Sequence, residues 1–119
     1  MKNKIIVGMI EGRHNMPVTE YIFKEGEIKD VHDYDFIAKQ ITKFVKEKVG
    51  IHCTYGIGLN QLDSSDVKIF EGEKILIVYV TGLTPVTAEL IRICALYGVR
   101  LTLMNFDTSI SAYKEQVIF

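Results

Sequence analysis

The residues best suited to bind or transform a small molecule fall in four short segments. Arginine and histidine bind phosphate or move protons, glycine lets the backbone approach a ligand closely, and threonine and asparagine offer hydrogen bonds. The four segments are Gly12-Arg13-His14-Asn15, Gly56-Ile57-Gly58, Thr81-Gly82-Leu83-Thr84 and Asn105-Phe106-Asp107. Each follows a segment with the pattern of a strand, so the surrounding elements decide whether they meet.

The strongest candidate is Thr81-Gly82-Leu83-Thr84. Gly82 would bring the backbone close to a ligand, Thr81 and Thr84 would offer hydroxyls, and the following helix would present unpaired N–H groups to a phosphate or a carbonyl. With Pro85 at the first helical position, Thr84 is predicted to be the N-cap residue. In the simpler interpretation Gly82 only makes the turn and Thr84 only caps the helix, because the full glycine fingerprint of dinucleotide-binding folds is absent.

Two further polar pairs are predicted to reach the same ligand. Arg13 suits bidentate binding of phosphate, and its neighbour His14 can donate or shuttle a proton near neutral pH; a solvent-exposed loop tip is the alternative. Asn105 and Asp107 end an apolar segment on side chains that suit a base edge or a ribose hydroxyl. Formation of a turn by Asp107-Thr108-Ser109 explains them equally well.

The remaining residues that carry chemistry give weaker signals. Tyr55, Tyr79 and Tyr113 lie in strand patterns, where rings can stack on a base but are more often core residues. Arg92 and Arg100 are predicted to lie away from the candidate loops, on the surface or at a subunit contact.

The spacing of the histidines, cysteines and carboxylates predicts neither a metal site nor a common catalytic motif. His32, His52 and Cys53 lack metal-ligand spacing, so we expect neither a metal nor a cofactor. The nucleophile elbow, the P-loop and a spaced pair of carboxylates are absent from the sequence, and no catalytic residue is predicted.

Hydrophobic periodicity predicts the elements that position these segments. Residues 4–11 and 74–81 have the composition of buried strands, and residues 35–50 and 86–97 have helical spacing. Asp33 or Asp35 is expected to cap the first helix, and Gly50 to end it. Because only Gly98 separates the second helix from the strand at residues 99–104, the two flanking strands must run parallel in a βαβ unit.

Shorter segments complete the prediction. Residues 18–23 and an extended piece around Ile28 and Val31 suggest a hairpin, residues 51–57 alternate as a strand, and residues 58–66 form a surface connection. Residues 113–119 are predicted as a final strand with an apolar end that is tucked in or paired.

These elements predict a single Rossmann-like α/β domain over residues 1–119: a mixed, mostly parallel sheet of about five to seven strands with two main helices. Two helices cover such a sheet incompletely, so the remaining face is expected to form a homodimer or a higher homo-oligomer. Ligands of open α/β sheets bind beyond the carboxyl ends of the parallel strands, where the candidate loops would meet.

Composition sets the limits of this prediction. The chain has 119 residues, 48% of them hydrophobic, and a formal charge of -1 at pH 7, which argues against binding of a nucleic-acid polymer. The longest apolar run, Ile75–Val80, is far below the ~18 residues of a membrane span, and the segment after Met1–Lys4 is too short for a signal peptide. We therefore expect a soluble cytoplasmic protein in which Cys53 and Cys94 are free thiols.

From Ile77–Pro85 through the helix to Leu101–Asp107 and Ala112-Tyr113, the last third of the chain resembles small CRISPR-associated Rossmann-like proteins of the ring-nuclease type. Glu11–Val18 is similar to a segment of phage-encoded proteins of unknown role. Overall size and class are similar to the phage anti-defence sponges that sequester Thoeris or CBASS nucleotide signals. These resemblances imply a small oligomer whose subunits share a pocket for a cyclic nucleotide or a cyclic ADP-ribose isomer.

Three functions follow as hypotheses. The first is a binding module that holds a nucleotide-type immune second messenger, unaltered, between subunits through Arg13, His14, Asn105 and the segment Thr81–Thr84. The second is a metal-independent ring nuclease that cleaves cyclic oligoadenylate, with Arg13 or His14 stabilising charge as the 2′-oxygen attacks. The third is a protein-interaction module without a small ligand.

Overall fold

The computed structural model describes residues 3–50 and 74–119. Five strands and two helices lie in these ranges, in the order β1 (Asn3–Ile10), β2 (Tyr21–Phe23), α1 (Tyr34–Lys48), β3 (Lys74–Tyr79), α2 (Thr84–Leu96), β4 (Arg100–Asp107) and β5 (Ala112–Val117). The predicted strand 51–57 and the connection 58–66 fall outside the described residues.

The five strands form one sheet in the order β2-β1-β3-β4-β5. Strands β2, β1, β3 and β4 are parallel to one another, and β5 pairs antiparallel to β4. This arrangement confirms the predicted fold class: one compact α/β domain with a mixed, mostly parallel, Rossmann-like sheet and two main helices.

Both helices lie on one side of the sheet and pack against each other. The apolar stripe predicted for α1 is buried, with Ile37, Ile41, Phe44 and Val45 facing the core. Alternate residues of the central strands meet the helices, and each of these is at most 3% exposed: Val7, Met9, Leu76, Val78, Leu101 and Leu103. We call this side of the sheet the covered face.

The opposite side, which we call the open face, carries no described helix. Its apolar side chains include Ile6, Phe106 and Val117, which are 49%, 51% and 65% exposed. The connections through α1 and α2 both cross the sheet in the same direction, and the right-handed rule then places both helices on one face. A helix between β1 and β2 would cover the other face, but residues 11–20 contain none.

The predicted hairpin at residues 18–31 is wrong. Strand β2 pairs parallel to β1, and residues 24–33 are turns and coil. The register brings Tyr21 beside Gly8, whose missing side chain makes room for the tyrosine ring; a Cβ there would lie 2.5 Å from it. Packing of Tyr21 on Gly8 therefore fixes the strand, and Ile28 and Val31 are left to line a surface depression.

The helix ends differ in how well the sequence predicts them. Asp33 is the N-cap of α1, as expected, and its carboxylate accepts from the Phe36 amide at 3.2 Å. The assignment of Thr84 as N-cap of α2 is wrong, because Leu83 holds that position and Thr84 is already helical. Leu83 has an extended backbone and no side-chain oxygen, so this helix begins without a side-chain cap.

The carboxyl-terminal strands also depart from the prediction. Strand β4 continues to Asp107, so Asn105 and Phe106 are strand residues rather than loop residues. Strand β5 ends at Val117, and the amides of Ile118 and Phe119 donate to the Leu101 carbonyl at 2.9 and 3.2 Å. The predicted pairing of the apolar chain end is thereby confirmed.

Two observations bear on the thiol and membrane predictions. Cys94 is a free, buried thiol, and burial raises its pKa to about 12. In residues 3–50 and 74–119, neither helix has the length and apolarity needed to cross a bilayer.

Candidate functional site

A cleft of about 430 Å³ lies where the carboxyl ends of β1, β3 and β4 meet. From β1 the chain passes to β2 on one side, whereas from β3 it passes to β4 on the other side. The direction of the connections therefore reverses between β1 and β3. This reversal point is where open α/β sheets bind ligands. The lining residues come from the loops after β1 and β3 and from β4, β5 and their turn: His14, Asn15, Val80, Thr81, Gly82, Asn105, Phe106, Thr108 and Tyr113.

His14 forms a hydrogen bond between two of the loops that line the cleft. Its Nε2 lies 3.2 Å from the Thr81 carbonyl oxygen. Because a carbonyl can only accept, Nε2 must carry the proton in this contact, and Nδ1 has no partner among the described residues. The contact holds together the loops that follow β1 and β3.

The turn after β3 is open and its amides are unpaired. Gly82 has a φ of +88°, which disfavours other residues, and nothing lies within 4 Å of the position of its absent Cβ. The backbone N–H groups of Gly82, Leu83 and Thr84 have no acceptor within the described ranges. Since they sit at the start of α2, they can bind a phosphate or another anion.

The opposite wall of the cleft is aromatic. Phe106 and Tyr113 face each other across the β4–β5 pair with ring centroids 5.2 Å apart, and Tyr79 packs edge-on against Tyr113 at 4.7 Å. Burial raises the pKa of Tyr113, and the nearby Tyr79 and Tyr21 raise it further. The Tyr113 phenol therefore stays protonated at neutral pH and can donate a hydrogen bond, while the exposed Phe106 ring can stack on a base.

The cleft brings together four of the predicted binding residues: His14, Thr81, Gly82 and Asn105. Besides His14, two of them have side chains that are already engaged. The Thr81 hydroxyl is buried and donates to the Met9 sulfur at 3.5 Å, so it is not offered to a ligand. The Asn105 amide donates to the Gln116 side-chain oxygen at 2.8 Å, which leaves its own oxygen as acceptor.

The other four predicted residues lie outside the cleft. Arg13 and Leu83 line a separate depression beside Glu11 and Glu25, so Arg13 and His14 diverge although they are neighbours in sequence. Thr84 is exposed at the start of α2 and lines neither depression.

Asp107 makes a turn instead of facing the cleft. Its carboxylate accepts from the Ser109 amide at 3.0 Å and from the Ser109 hydroxyl at 2.6 Å. The turn-forming interpretation of this residue is the one the structure shows.

Asn15 and Phe106 were named only as members of the candidate segments, Tyr113 was interpreted as more often a core residue, and Thr108 was assigned to a turn, so sequence reasoning gave none of the four a role in binding. The signal for the two aromatic residues was present, because a turn at residues 108–111 between two alternating segments indicates an antiparallel pair that sets them face to face. Asn15 and Thr108 are adjacent to predicted residues and carry no separate signal.

In the part of the chain that the structure describes, no group of three or more His, Cys, Asp or Glu side chains is arranged to hold a metal ion. His14 and Tyr113 are the titratable side chains among the residues that line the cleft. What the cleft offers is a hydrogen-bonded histidine, the Gly82 amide without an acceptor among the described residues, and an aromatic wall.

Comparisons of the chain with protein-family models, with curated proteins and with solved structures give no match. The resemblances to ring-nuclease-type proteins and to nucleotide sponges therefore remain predictions from the sequence.

Proposed function

We propose that this protein is a binding module that holds a small nucleotide-type second messenger, such as a cyclic oligonucleotide or a cyclic ADP-ribose isomer, in the cleft. One observation carries the proposal: the cleft is lined both by Gly82, whose backbone amide has no acceptor among the described residues, and by the exposed aromatic ring of Phe106. A nucleotide has the same two parts, an anionic phosphate and a flat base. The Gly82 amide, continued by those of Leu83 and Thr84 just beyond the cleft lining, would bind the phosphate, and Phe106 would stack on the base.

Retention without cleavage is the outcome that the cleft supports best. In-line attack by a 2′-hydroxyl needs a base near the nucleophile and an acid near the leaving oxygen. The Nε2 of His14 is already hydrogen-bonded to the Thr81 carbonyl. The protonated Tyr113 phenol lies on the aromatic wall, where the nucleobase of the ligand would stack. We therefore favour sequestration, the role implied by the resemblance to phage anti-defence sponges, in the cytoplasm where such signals act.

We also propose that two copies associate through the open face. Phe106 and Tyr113 belong both to the cleft and to this face, so a second copy seated there would extend the cleft. Ligand pockets commonly enclose about 300–1,000 Å³. At about 430 Å³ one cleft is near the lower limit, and a cyclic oligonucleotide would need the second copy to enclose it.

The binding experiment uses a panel of cyclic mono-, di- and oligonucleotides and cyclic ADP-ribose isomers. Each is mixed with the purified protein, and the complex is separated from free ligand. The bound ligand is then released by heat and identified by mass spectrometry. Recovery of one intact compound supports sequestration, and recovery of a linear product supports the nuclease instead. His14→Ala should lower retention about ten-fold, as expected for loss of a hydrogen bond to a charged group, whereas His32→Ala should not. No retention of any compound would contradict the proposal.

The association is tested by light scattering on a sizing column. Ile6→Asp and Val117→Asp place a charge in the open face and should convert a dimer to a monomer. Ile110→Asp is the matched control, because Ile110 is 57% exposed in the β4–β5 turn. A wild-type protein that remains monomeric at high concentration would contradict the dimer.

A further inference from the structure

A second depression lies between the outer surfaces of α1 and α2. We call it the interhelical groove. It encloses about 660 Å³ and shares no residue with the nucleotide cleft. Its lining consists of Ala38, Lys39, Thr42, Lys43, Lys46, Glu47, Arg92, Ile93, Leu96 and Tyr97.

The floor of the interhelical groove is apolar. Ile93 is buried, Ala38 and Tyr97 are half-buried against the core, and Leu96 is half-buried. Small side chains on α1, Ala38 and Thr42, keep the floor low, and Thr42 satisfies its hydroxyl by donating to the Ala38 carbonyl at 2.7 Å. The apolar surface therefore lies at the bottom of the groove and is not carried by a projecting side chain.

The rim of the groove carries four basic residues and one acidic residue, Glu47, and three of the basic residues are lysines of α1 without an ionic partner among the described residues. Lys39, Lys43 and Lys46 are exposed and recur at helical spacing on one side of α1. None of the three forms an ion pair or a hydrogen bond with a described residue. By contrast, Lys48 pairs with Glu20 at 2.9 Å and Arg92 with Glu89 at 2.8 Å.

We propose that the interhelical groove binds an acidic amphipathic helix of a partner protein. Apolar side chains of the partner would fill the floor, and its carboxylates would pair with Lys39, Lys43 and Lys46. The lining of α1 runs from Ala38 to Glu47, about 13 Å at 1.5 Å per residue, which matches about two and a half turns of a docked helix. The proposal does not depend on nucleotide binding.

A helix fits this surface better than a bilayer does. The lysines stand above the floor, so a flat lipid surface would contact the charges but not the apolar residues beneath them. A cylinder with an apolar stripe can enter the groove and reach both.

The test measures fluorescence anisotropy with a labelled synthetic peptide. The peptide carries leucines at i, i+3, i+4 and i+7 with glutamates on either side, and a scrambled peptide of the same composition serves as control. The protein variant Lys39→Glu/Lys43→Glu/Lys46→Glu reverses the rim. Its matched control, Lys24→Glu/Lys29→Glu/Lys114→Glu, makes the same change of net charge at exposed lysines outside the groove.

We expect saturable binding of the amphipathic peptide by the wild type and the matched control. Reversal of the rim charges should weaken this binding about ten-fold, at about 0.5 kcal/mol for each exposed charge pair. The scrambled peptide should bind the wild type no better than the amphipathic peptide binds the reversed variant. Circular dichroism shows whether both variants fold. Equal loss in the two variants, equal binding of the scrambled peptide, or no binding to the wild type would each overturn the proposal. So would lysine-dependent sedimentation with phosphatidylserine vesicles without peptide binding, which would assign the groove to a membrane.

Discussion

The two faces of the sheet are built from the same strands but have opposite surroundings. On the covered face, Leu76, Val78 and Leu101 are fully buried under two helices, whereas on the open face Ile6 and Phe106 remain about half exposed. The difference originates in one connection, because the loop between β1 and β2 contains no helix. Among the described residues, chain topology thus buries one face and leaves the other partly exposed.

The cleft lies where these two environments meet. Gly82, on one side of it, lies just before α2, a helix of the covered face, and its aromatic wall belongs to the open face. A ligand held there would contact both, and the proposed binding would then be linked to the proposed association. Substitutions on the two faces should therefore affect different properties.

The largest expected effect is on stability. Leu101→Ala removes a fully buried side chain of the covered face and should lower the free energy of unfolding by about 2–5 kcal/mol. Ile6→Ala on the open face should cost less than about 1.5 kcal/mol in the monomer, since Ile6 is 49% exposed. Urea unfolding at a concentration where the protein is monomeric measures both. Similar losses would show that the open face is as tightly packed as the covered one.

A ring on the open face should affect ligand affinity instead. Phe106→Ser should weaken nucleotide binding by about 1–3 kcal/mol, the contribution of stacking on one base. Phe119→Ser is the control, because Phe119 is similarly exposed at 46% but does not line the cleft. Titration calorimetry with the compound retained in the panel measures the two affinities, and the account fails if both variants bind alike.

The pH dependence of the free energy of unfolding tests the burial of Cys94 beneath the covered face. In the folded state the pKa of Cys94 is raised from 9.0 to about 12 by burial. Above pH 9 the unfolded chain loses this proton while the folded chain keeps it, so the contribution of Cys94 is complete below pH 9 and falls by about 1.4 kcal/mol for each pH unit up to about 12.

Cys94→Ala isolates that contribution. The difference in unfolding free energy between wild type and variant, measured in urea at pH 8 and pH 10, should shrink by about 1 kcal/mol at the higher pH. A difference that is constant with pH would mean that the thiol ionises equally well in the folded protein.

The smallest expected effect separates backbone strain from ligand binding. Gly82→Ala and Gly26→Ala both place a side chain at positive φ, +88° and +76°, with open space around it. Each should cost about 1 kcal/mol of stability, but only Gly82→Ala should also weaken nucleotide binding. Thermal unfolding and calorimetry report the two quantities, and equal loss of binding in both variants would remove Gly82 from the site.

Periodicity was enough to predict the helices, the βαβ unit and the parallel core, because the apolar stripe of α1 and the buried runs of β1 and β3 follow directly from burial. The path of residues 11–31 was not predicted. There the pairing depends on Tyr21 lying over Gly8, a contact between distant residues that no local pattern reports.

The candidate site was predicted in part for a similar reason. The strand-end rule selected His14, Gly82 and Asn105, which do meet. The rule could not separate Arg13 from His14, since adjacent residues in a loop can face different depressions, and it could not show that Met9 takes the Thr81 hydroxyl.

The central claim is that the amides at the start of α2 bind the phosphate of a nucleotide. The most direct test is a titration of ¹⁵N-labelled protein with 5′-AMP, followed by amide chemical shifts, with adenosine as the control that lacks the phosphate. We predict that the signals of Gly82, Leu83 and Thr84 move with 5′-AMP and not with adenosine, while that of Gly26 stays fixed. Unmoved signals at Gly82 to Thr84, or equal movement with adenosine, would contradict the account.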